Sequence, residues 1–433
     1  MPYFSDLIEA ARQLGNWADL RHEQGAPISS ELQVLTRRMK ALSAQYERLV
    51  PPADHGDREP NDLDSIRAAR TDGPRRLFQQ VDATRYPPRL AGAWLARAAG
   101  CTLGSPVEGW QIEQMEALAA YYGDDFPPTD YWIGPGRPAH HLRYGTSRVA
   151  EYTRGGITHV PVDDDLTYTL LGLIVLERYG PSFTTAQMAE AWLDLLPMAC
   201  TAEHVTLEQL RAGLPWEQAG ERNNPYVEWI GADIRSDPWG YAAPGWPEMA
   251  ADLAWRDARL SHRRNGIYGA MFFSATIAAA FAVDDPLEAC RIGLTEIPAS
   301  CRLHDDLVWA LDQSTRLDDF RHARRLVDER FDGMSSVHTN NNACLTVFGL
   351  ALGGDDVTKV IGHTVAMGLD NDCTAATAGS IAGAVVGIDR VPEHWHRPFA
   401  DKARTYISGH EWFGNSDILK RFEACARAVH AGT

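Results

Sequence analysis

The sequence predicts an all-α protein with an N-terminal helical extension, and three observations support this fold class. Apolar residues recur at intervals of three and four in many separate stretches, as on one face of a helix. Several of these stretches consist almost wholly of small and apolar residues. No stretch shows the alternation that is typical of a half-buried strand. The 433 residues, 45% of them hydrophobic, supply enough chain for a deep core.

Charge and cysteine usage exclude several function classes. The formal charge is −17, from 41 Lys and Arg against 58 Asp and Glu, so a general basic surface for nucleic acid or anionic lipid is disfavoured. The longest apolar run, residues 269–283, is shorter than the ~20 residues that span a bilayer. Seven scattered cysteines without CxxC pairs indicate a reducing compartment. We therefore expect a cytoplasmic protein that binds neither nucleic acid nor membrane.

The first 50 residues predict two amphipathic helices. The second begins at the capping pair Ser29 and Ser30 and places apolar side chains at three- and four-residue intervals. Residues 51–76 are rich in Pro, Gly, Asp and Arg, which is typical of an extended connector or of a loop draped over the main body. We place the domain boundary near residue 85, with an extension and connector over residues 1–86 and a main helical domain over residues 87–433.

Helical patterns dominate the main domain. One of them contains Gly379, Gly383 and Gly387, so one face of this helix lacks side chains. Each interior glycine costs ~1 kcal/mol relative to alanine, so three in register indicate that a neighbouring helix approaches closely. The predicted helices cover residues 88–99, 166–179, 187–195, 266–283, 286–294, 340–352, 356–367, 374–386 and 416–430.

Two groups of acidic residues precede buried helices. Asp163, Asp164 and Asp165 come directly before the helix at 166–179, and Asp370 and Asp372 stand at the start of the glycine-faced helix. Carboxylates are stabilised at helix N-termini, so each group can be simple capping. Carboxylates this close also repel one another unless a hard cation such as Mg²⁺, Mn²⁺ or Ca²⁺ neutralises them. The residues alone leave both interpretations open, and two metals would fit if the helix starts meet.

Three further segments carry candidate functional residues. Residues 100–110 end a helix and turn through glycines before a glutamate, residues 229–245 are too apolar for a simple solvent loop, and residues 261–270 lead into a buried helix. Each also has a structural interpretation, as a helix end and turn or as a capping or core histidine. The candidates are Gly104, Glu108, Arg235, Trp239, Tyr241, His262 and Tyr268.

Taken in order, these segments resemble the ADP-ribosylglycohydrolase family from about residue 88 to the C-terminus. The family's glycine-rich turn, Gly-Asp-x-x-Gly-x-Pro-x-Glu, matches Gly100, Gly104, Pro106 and Glu108, with Cys101 in place of the aspartate. The resemblance implies a compact orthogonal all-α domain that holds two Mg²⁺ ions, or Mn²⁺, between helices. It also implies hydrolysis of the bond between C1″ of a ribose and its acceptor.

The resemblance also implies roles for the acidic residues. The family's Thr-Asp-Asp-Thr falls on residues 163–166, so that Asp163 replaces a threonine, and its last motif falls on residues 368–373, so that Cys373 replaces another. The implied metal ligands are Asp163, Asp164, Asp165, Asp370, Asp372 and Cys373. The implied catalytic residues are Glu108, Asp164 and Asp372, and the implied substrate-binding residues are Gly104, Arg235, Trp239, Tyr241, His262 and Tyr268.

Cys101, Asp163 and Cys373 depart from the family pattern within the motifs themselves, so we expect a divergent branch whose acceptor is open. Three functions compete: removal of ADP-ribose from modified proteins, cleavage of an N-glycosidic bond in a ribosylated small molecule, and a non-catalytic relative. Retention of five acidic residues at the two metal motifs argues against the last. The extension can cover the substrate cleft, assemble a homo-oligomer, or both.

Overall fold

A computed structural model describes residues 3–49, 58–138 and 140–432, and the all-α prediction is confirmed. These residues form twenty α-helices, which we number in chain order. They are α1 (Ser5–Glu23), α2 (Ser29–Glu47), α3 (Leu63–Ala68), α4 (Tyr86–Gly104), α5 (Ile112–Tyr122), α6 (Asp164–Tyr179), α7 (Thr185–Leu195), α8 (Thr201–Arg211), α9 (Trp216–Ala219), α10 (Asp237–Ala242), α11 (Pro247–Ala258), α12 (Asn265–Ala280), α13 (Pro286–Leu294), α14 (Arg302–Gln313), α15 (Phe320–Arg330), α16 (Thr339–Gly353), α17 (Val357–Ala366), α18 (Asn371–Val386), α19 (Glu393–His396) and α20 (Asn415–Ala431).

Two short antiparallel hairpins interrupt the helices, and the sequence did not predict them. Strand β1 (Leu142–Arg143) pairs with β2 (Ser147–Arg148), with Arg143 opposite Ser147. Strand β3 (Ala403–Arg404) pairs with β4 (Trp412–Phe413). Two-residue strands are too short to show an alternating pattern, so the sequence carries little signal for them.

The predicted helices of the main domain lie within a few residues of the observed ones. Helix α13 has the predicted bounds, whereas α4 extends five residues beyond the predicted end at residue 99. Helices α5, α8, α11, α14 and α15 were not predicted. Helical spacing of apolar residues was nevertheless present, as at Leu303, Leu307, Ala310 and Leu311 of α14, so this signal was missed. The capping prediction for α2 was wrong, since Ile28 takes the N-cap position and makes no side-chain cap.

Helices α4 and α18 pack backbone against backbone at the centre of the domain. A Cβ atom on Gly383 would overlap the carbonyl oxygen of Gly92, and one on Gly100 would overlap that of Ala375. The close approach expected from the glycine repeat is therefore present at Gly383. Gly387 has a different role, because it ends α18 with a φ of +79°, and a Cβ atom on it would meet nothing nearer than 3.7 Å.

The extension and the connector differ in how they join the body. Helices α1 and α2 bury no side chain. By contrast, the connector beyond residue 58 lies against the main domain, where Arg67 pairs with Asp252 and Arg70 pairs with Glu248. This part of the connector is thus a segment draped over the body, while residues 51–57 of the predicted connector lie outside the described residues. Among the helices that the structure describes, none is both long and apolar enough to cross a bilayer.

Candidate functional site

The two acidic helix starts meet at one place in the fold. Asp163 occupies the N-cap of α6, and Asp370 occupies the N-cap of α18. Carboxylate oxygens of Glu108, Asp370 and Asp372 lie within 4.8 Å of one another. In a second group, carboxylate oxygens of Asp163 and Asp165 and the sulfur of Cys101 also lie within 4.8 Å of one another. The helix ends of α4, α6 and α18 thus bring together acids that are more than 250 residues apart.

Gly104 makes this meeting possible. It ends α4, and a Cβ atom there would overlap the backbone of Asp372 at the start of α18. The next residue, Ser105, donates a hydrogen bond of 2.9 Å to Asp163. The structure therefore gives Gly104 a packing role that places Asp372 beside the acids of α6, and its contact with substrate stays a prediction.

Arg143 is the residue of this site that the sequence reasoning missed. One terminal nitrogen of its guanidinium donates to the Ser105 carbonyl at 2.7 Å and to Glu108 at 3.0 Å. The other donates to Asp163 and Asp372, each at 3.1 Å. A nearly buried guanidinium thus bridges three of the six carboxylates.

The β1–β2 hairpin presents Arg143 to the acids. At the tip of the hairpin, Tyr144 and Gly145 have φ values of +50° and +66°, and Thr146 N–H donates to the Arg143 carbonyl, which closes a tight turn over residues 143–146. Tyrosine rarely adopts a positive φ. Here its hydroxyl donates to Asp164 at 2.6 Å, so the turn delivers a second side chain to the site. The sequence signal is weak, because Tyr-Gly is not one of the common hairpin pairs.

Burial and mutual repulsion make the acids reluctant to ionise. Burial and the charge of Asp163 raise the pKa of Asp164 to about 8 and hold the pKa of Asp165 well above its ordinary value. Burial also raises the pKa of Asp370, with the charge of Asp372 adding to it, and raises that of Asp372, with the charge of Glu108 adding to it. A bound cation would reverse these shifts, because it favours the ionised form.

The donor set fits divalent cations. Six carboxylates gather here, and Arg143 is the cation inside the group. Arg97 lies behind Asp165 at 3.7 Å, but it pairs more closely with Asp237, at 2.7 Å. A large negative surplus therefore remains when the acids are ionised. Carboxylate oxygens in such number suit Mg²⁺ or Mn²⁺.

The two cysteines of the motifs differ in position. The Cys101 thiol lies among Asp163 and Asp165, whereas Cys373, a predicted ligand, belongs to neither group of possible ligand atoms found among the described residues. Burial raises the pKa of the Cys373 thiol well above its ordinary value, so the thiol is neutral. A neutral thiol is a poor ligand for Mg²⁺. The structure thus gives no support to Cys373 as a ligand.

Arg235, a predicted substrate-binding residue, is committed to the protein core. Its guanidinium pairs with Glu203 and with Asp257, the latter at 2.8 Å, and lies over the Trp192 ring at 5.1 Å. The residue is 2% exposed. Both carboxylates would lose their partner if Arg235 turned to a phosphate, so the structure favours a structural role.

The other predicted substrate-binding side chains are also buried. Trp239 stacks on Phe183, and the Tyr241 hydroxyl lies 2.8 Å from that of Ser380. Both belong to helix α10, whereas the sequence pattern predicted a loop that lines a pocket. The hydroxyl of Tyr268 donates to the carbonyl of Pro60 in the connector.

His262 is fully buried, with Nδ1 2.8 Å from the Ser261 hydroxyl. The structure does not bring it, or Trp239, Tyr241 or Tyr268, to the acidic site. Trp229, which begins the segment 229–245, lines a separate cavity of about 570 Å³ together with Arg264 and His338.

Comparison with known proteins gives three findings. A family model described as ADP-ribosylglycohydrolase matches residues 82–425. Among solved structures, a chain described as an "ADP-ribosylglycohydrolase-related protein complex" is 20% identical to this one. The alignment covers 80% of this chain and 98% of that chain, with a TM-score of 0.47. No curated protein matches the sequence.

Proposed function

Because this chain belongs to the ADP-ribosylglycohydrolase family, we propose that it is a metal-dependent hydrolase of a ribosyl glycosidic bond. The single observation that carries the proposal is the meeting of six carboxylates at the ends of α4, α6 and α18. Acids that raise one another's pKa in a buried place cost stability, so a structural role alone does not account for them. Glycoside hydrolysis uses carboxylates of this kind.

The residues divide into two roles. Asp163, Asp164, Asp165, Asp370 and Asp372 would hold two Mg²⁺ or Mn²⁺ ions. Cations there supply a site for adjacent ribose hydroxyls and lower the pKa of a bound water. The same carboxylates, through their negative charge, stabilise the positive charge that develops on the sugar ring as the leaving group departs.

Glu108 is our candidate for proton transfer at the anomeric carbon. Its side chain is 41% exposed, whereas Asp163 and Asp372, which contact the same guanidinium, are buried, so it lies at the rim where a leaving group would meet solvent. It is held by Arg143 at 3.0 Å, which positions its carboxylate over the acids. A carboxyl group in contact with solvent can exchange its proton during each turnover.

The acceptor of the ribosyl group is the open part of the proposal. It is either a side chain of an ADP-ribosylated protein or the base of a ribosylated small molecule. All seven cysteines are free thiols, which supports a cytoplasmic location for either substrate.

The test is a mass-spectrometric assay with Mg²⁺ or Mn²⁺ against ADP-ribosylated proteins, ribosides, ribotides and dinucleotides. The variant Asp372→Asn removes one central carboxylate. Its matched control is Asp389→Asn, which makes the same change of charge at an exposed position. We expect metal-dependent release of a ribosyl product, lost by about 10²-fold or more in Asp372→Asn only. Release of ADP-ribose from protein and release of ribose from small molecules distinguish the two substrates. Metal binding without turnover across the panel would contradict the proposal.

A further inference from the structure

We propose that helices α1 and α2 form a homotypic interface, in which residues 3–49 of one chain pair with the same segment of a second copy. The proposal is independent of the function proposed above.

The first argument is exposure. Thirteen of the nineteen large apolar side chains that are exposed in the described residues lie within residues 3–49. Trp17 is 55% exposed and Tyr46 is 70% exposed. The segment touches the body at its two ends, where Tyr3 lies against Gly333 and the Glu47 carboxylate accepts a hydrogen bond of 2.8 Å from the Asn223 N–H. Between these contacts, neither helix covers the apolar side chains of the other.

The second argument is periodicity. Apolar residues of α2 and the residues after it alternate at intervals of three and four along more than two heptads: Leu32, Leu35, Met39, Leu42, Tyr46 and Leu49. Helix α1 has the same spacing at Leu7, Ala10, Leu14 and Trp17. A repeat of this kind forms a straight seam that packs against the seam of another helix.

The third argument is charge. Residues 3–49 contain six acidic and six basic side chains, so the segment is neutral, while the rest of the chain carries the whole net charge of −17. Two copies can therefore approach through this segment without net repulsion, whereas their bodies repel. A helix that lies on an anionic membrane carries an excess of Lys and Arg, which this segment lacks.

The fourth argument is size. If each of the thirteen side chains hides on the order of 80 Å², one chain contributes roughly 1,000 Å² to the contact, and a standard interface takes ~800 Å² from each partner. Isolated helices of 19 residues are only marginally stable in water, so α1 and α2 need a partner to persist. A second copy supplies two matching helices.

The experiment is sedimentation velocity and light scattering on the full chain over a wide range of protein concentration. Leu42→Asp places a charge in the seam, and Ala41→Asp adds the same charge to the same helix beside the seam. We expect the wild-type chain and Ala41→Asp to have twice the mass of one 47.9 kDa chain. We expect Leu42→Asp to have the mass of one chain.

A second readout separates loss of pairing from loss of folding. Leu42→Cys, in the seam, should form a disulfide between two chains on mild oxidation, whereas Ala41→Cys should not. The thermal unfolding of the main domain should be the same in Leu42→Asp and Ala41→Asp. A monomeric wild-type chain at all concentrations would overturn the proposal. So would unchanged dimerisation in Leu42→Asp, or a monomer that binds vesicles of anionic lipid.

Discussion

Replacing Arg143 by alanine tests how much the guanidinium stabilises the acidic site when no metal ion is bound. The guanidinium contacts Glu108, Asp163 and Asp372 at 3.0 to 3.1 Å. Removing one partner of a buried ion pair costs ~3–5 kcal/mol, because the other charges stay buried. Glu108 is half exposed and contributes less, so we expect the metal-free variant to lose about 3 kcal/mol in the free energy of unfolding.

The same change should tighten metal binding. If the guanidinium and a divalent cation compete for the same oxygen atoms, the wild-type protein must give up the contacts of Arg143 when it binds metal. Arg143→Ala has no such contacts to break. A saving of about 3 kcal/mol in the free energy of binding corresponds to a gain of roughly 10²-fold in affinity for Mn²⁺. Isothermal titration calorimetry measures this affinity, and denaturant unfolding with and without Mn²⁺ measures the stability.

Arg148→Ala is the matched control, because Arg148 lies exposed on the other strand of the same hairpin. It should change neither quantity by more than a few tenths of a kcal/mol. Equal or weaker Mn²⁺ binding by Arg143→Ala would refute the competition, and would mean that Arg143 stays in place beside the cation.

Three other predictions concern the core. Arg97→Met should destabilise the protein by ~3–5 kcal/mol, measured by denaturant unfolding, because it leaves the Asp237 carboxylate without its ion-pair partner. Adding Asp237→Asn should recover part of this loss, and a further loss of stability would contradict the reasoning. Gly383→Ala should cost ~1–3 kcal/mol by forcing α18 from α4. Its control is Gly15→Ala, where an added Cβ atom meets nothing and should stabilise α1 by up to ~1 kcal/mol. If calorimetry gave the same change in stability for both variants, close packing would be excluded as the reason for the loss in Gly383→Ala. Burial holds the pKa of His262 well below its usual range, so below about pH 6.5 the unfolded chain binds a proton that the folded protein excludes, and stability falls as pH falls. His262→Gln should therefore reduce the slope of stability against pH by up to ~1.4 kcal/mol per unit between about pH 6.5 and pH 5, and an unchanged slope would show that His262 does not contribute.

Local sequence patterns predicted the features of the fold that depend on neighbouring residues. The long apolar helices α6, α12 and α18 were found because each is a long run of small and apolar residues with polar or charged residues near its ends. The acids at the starts of α6 and α18 were found because they are consecutive or nearly so. The domain boundary and the roles assigned to the site residues remain predictions.

Contacts between distant segments decided the rest. Arg143 reaches the acids only because a tight turn with two positive φ values directs it there, and nothing in its own neighbourhood distinguishes it from the other arginines. Arg235 has the residue type of a phosphate ligand, yet Glu203 and Asp257 surround it once the helices pack. Sequence alone indicated the long buried helices and the carboxylates that begin two of them, because helix patterning and capping act within a few residues. Only the tertiary structure decided which charges meet. Burial and ion pairing depend on the distance between side chains in space, and these side chains are far apart in sequence.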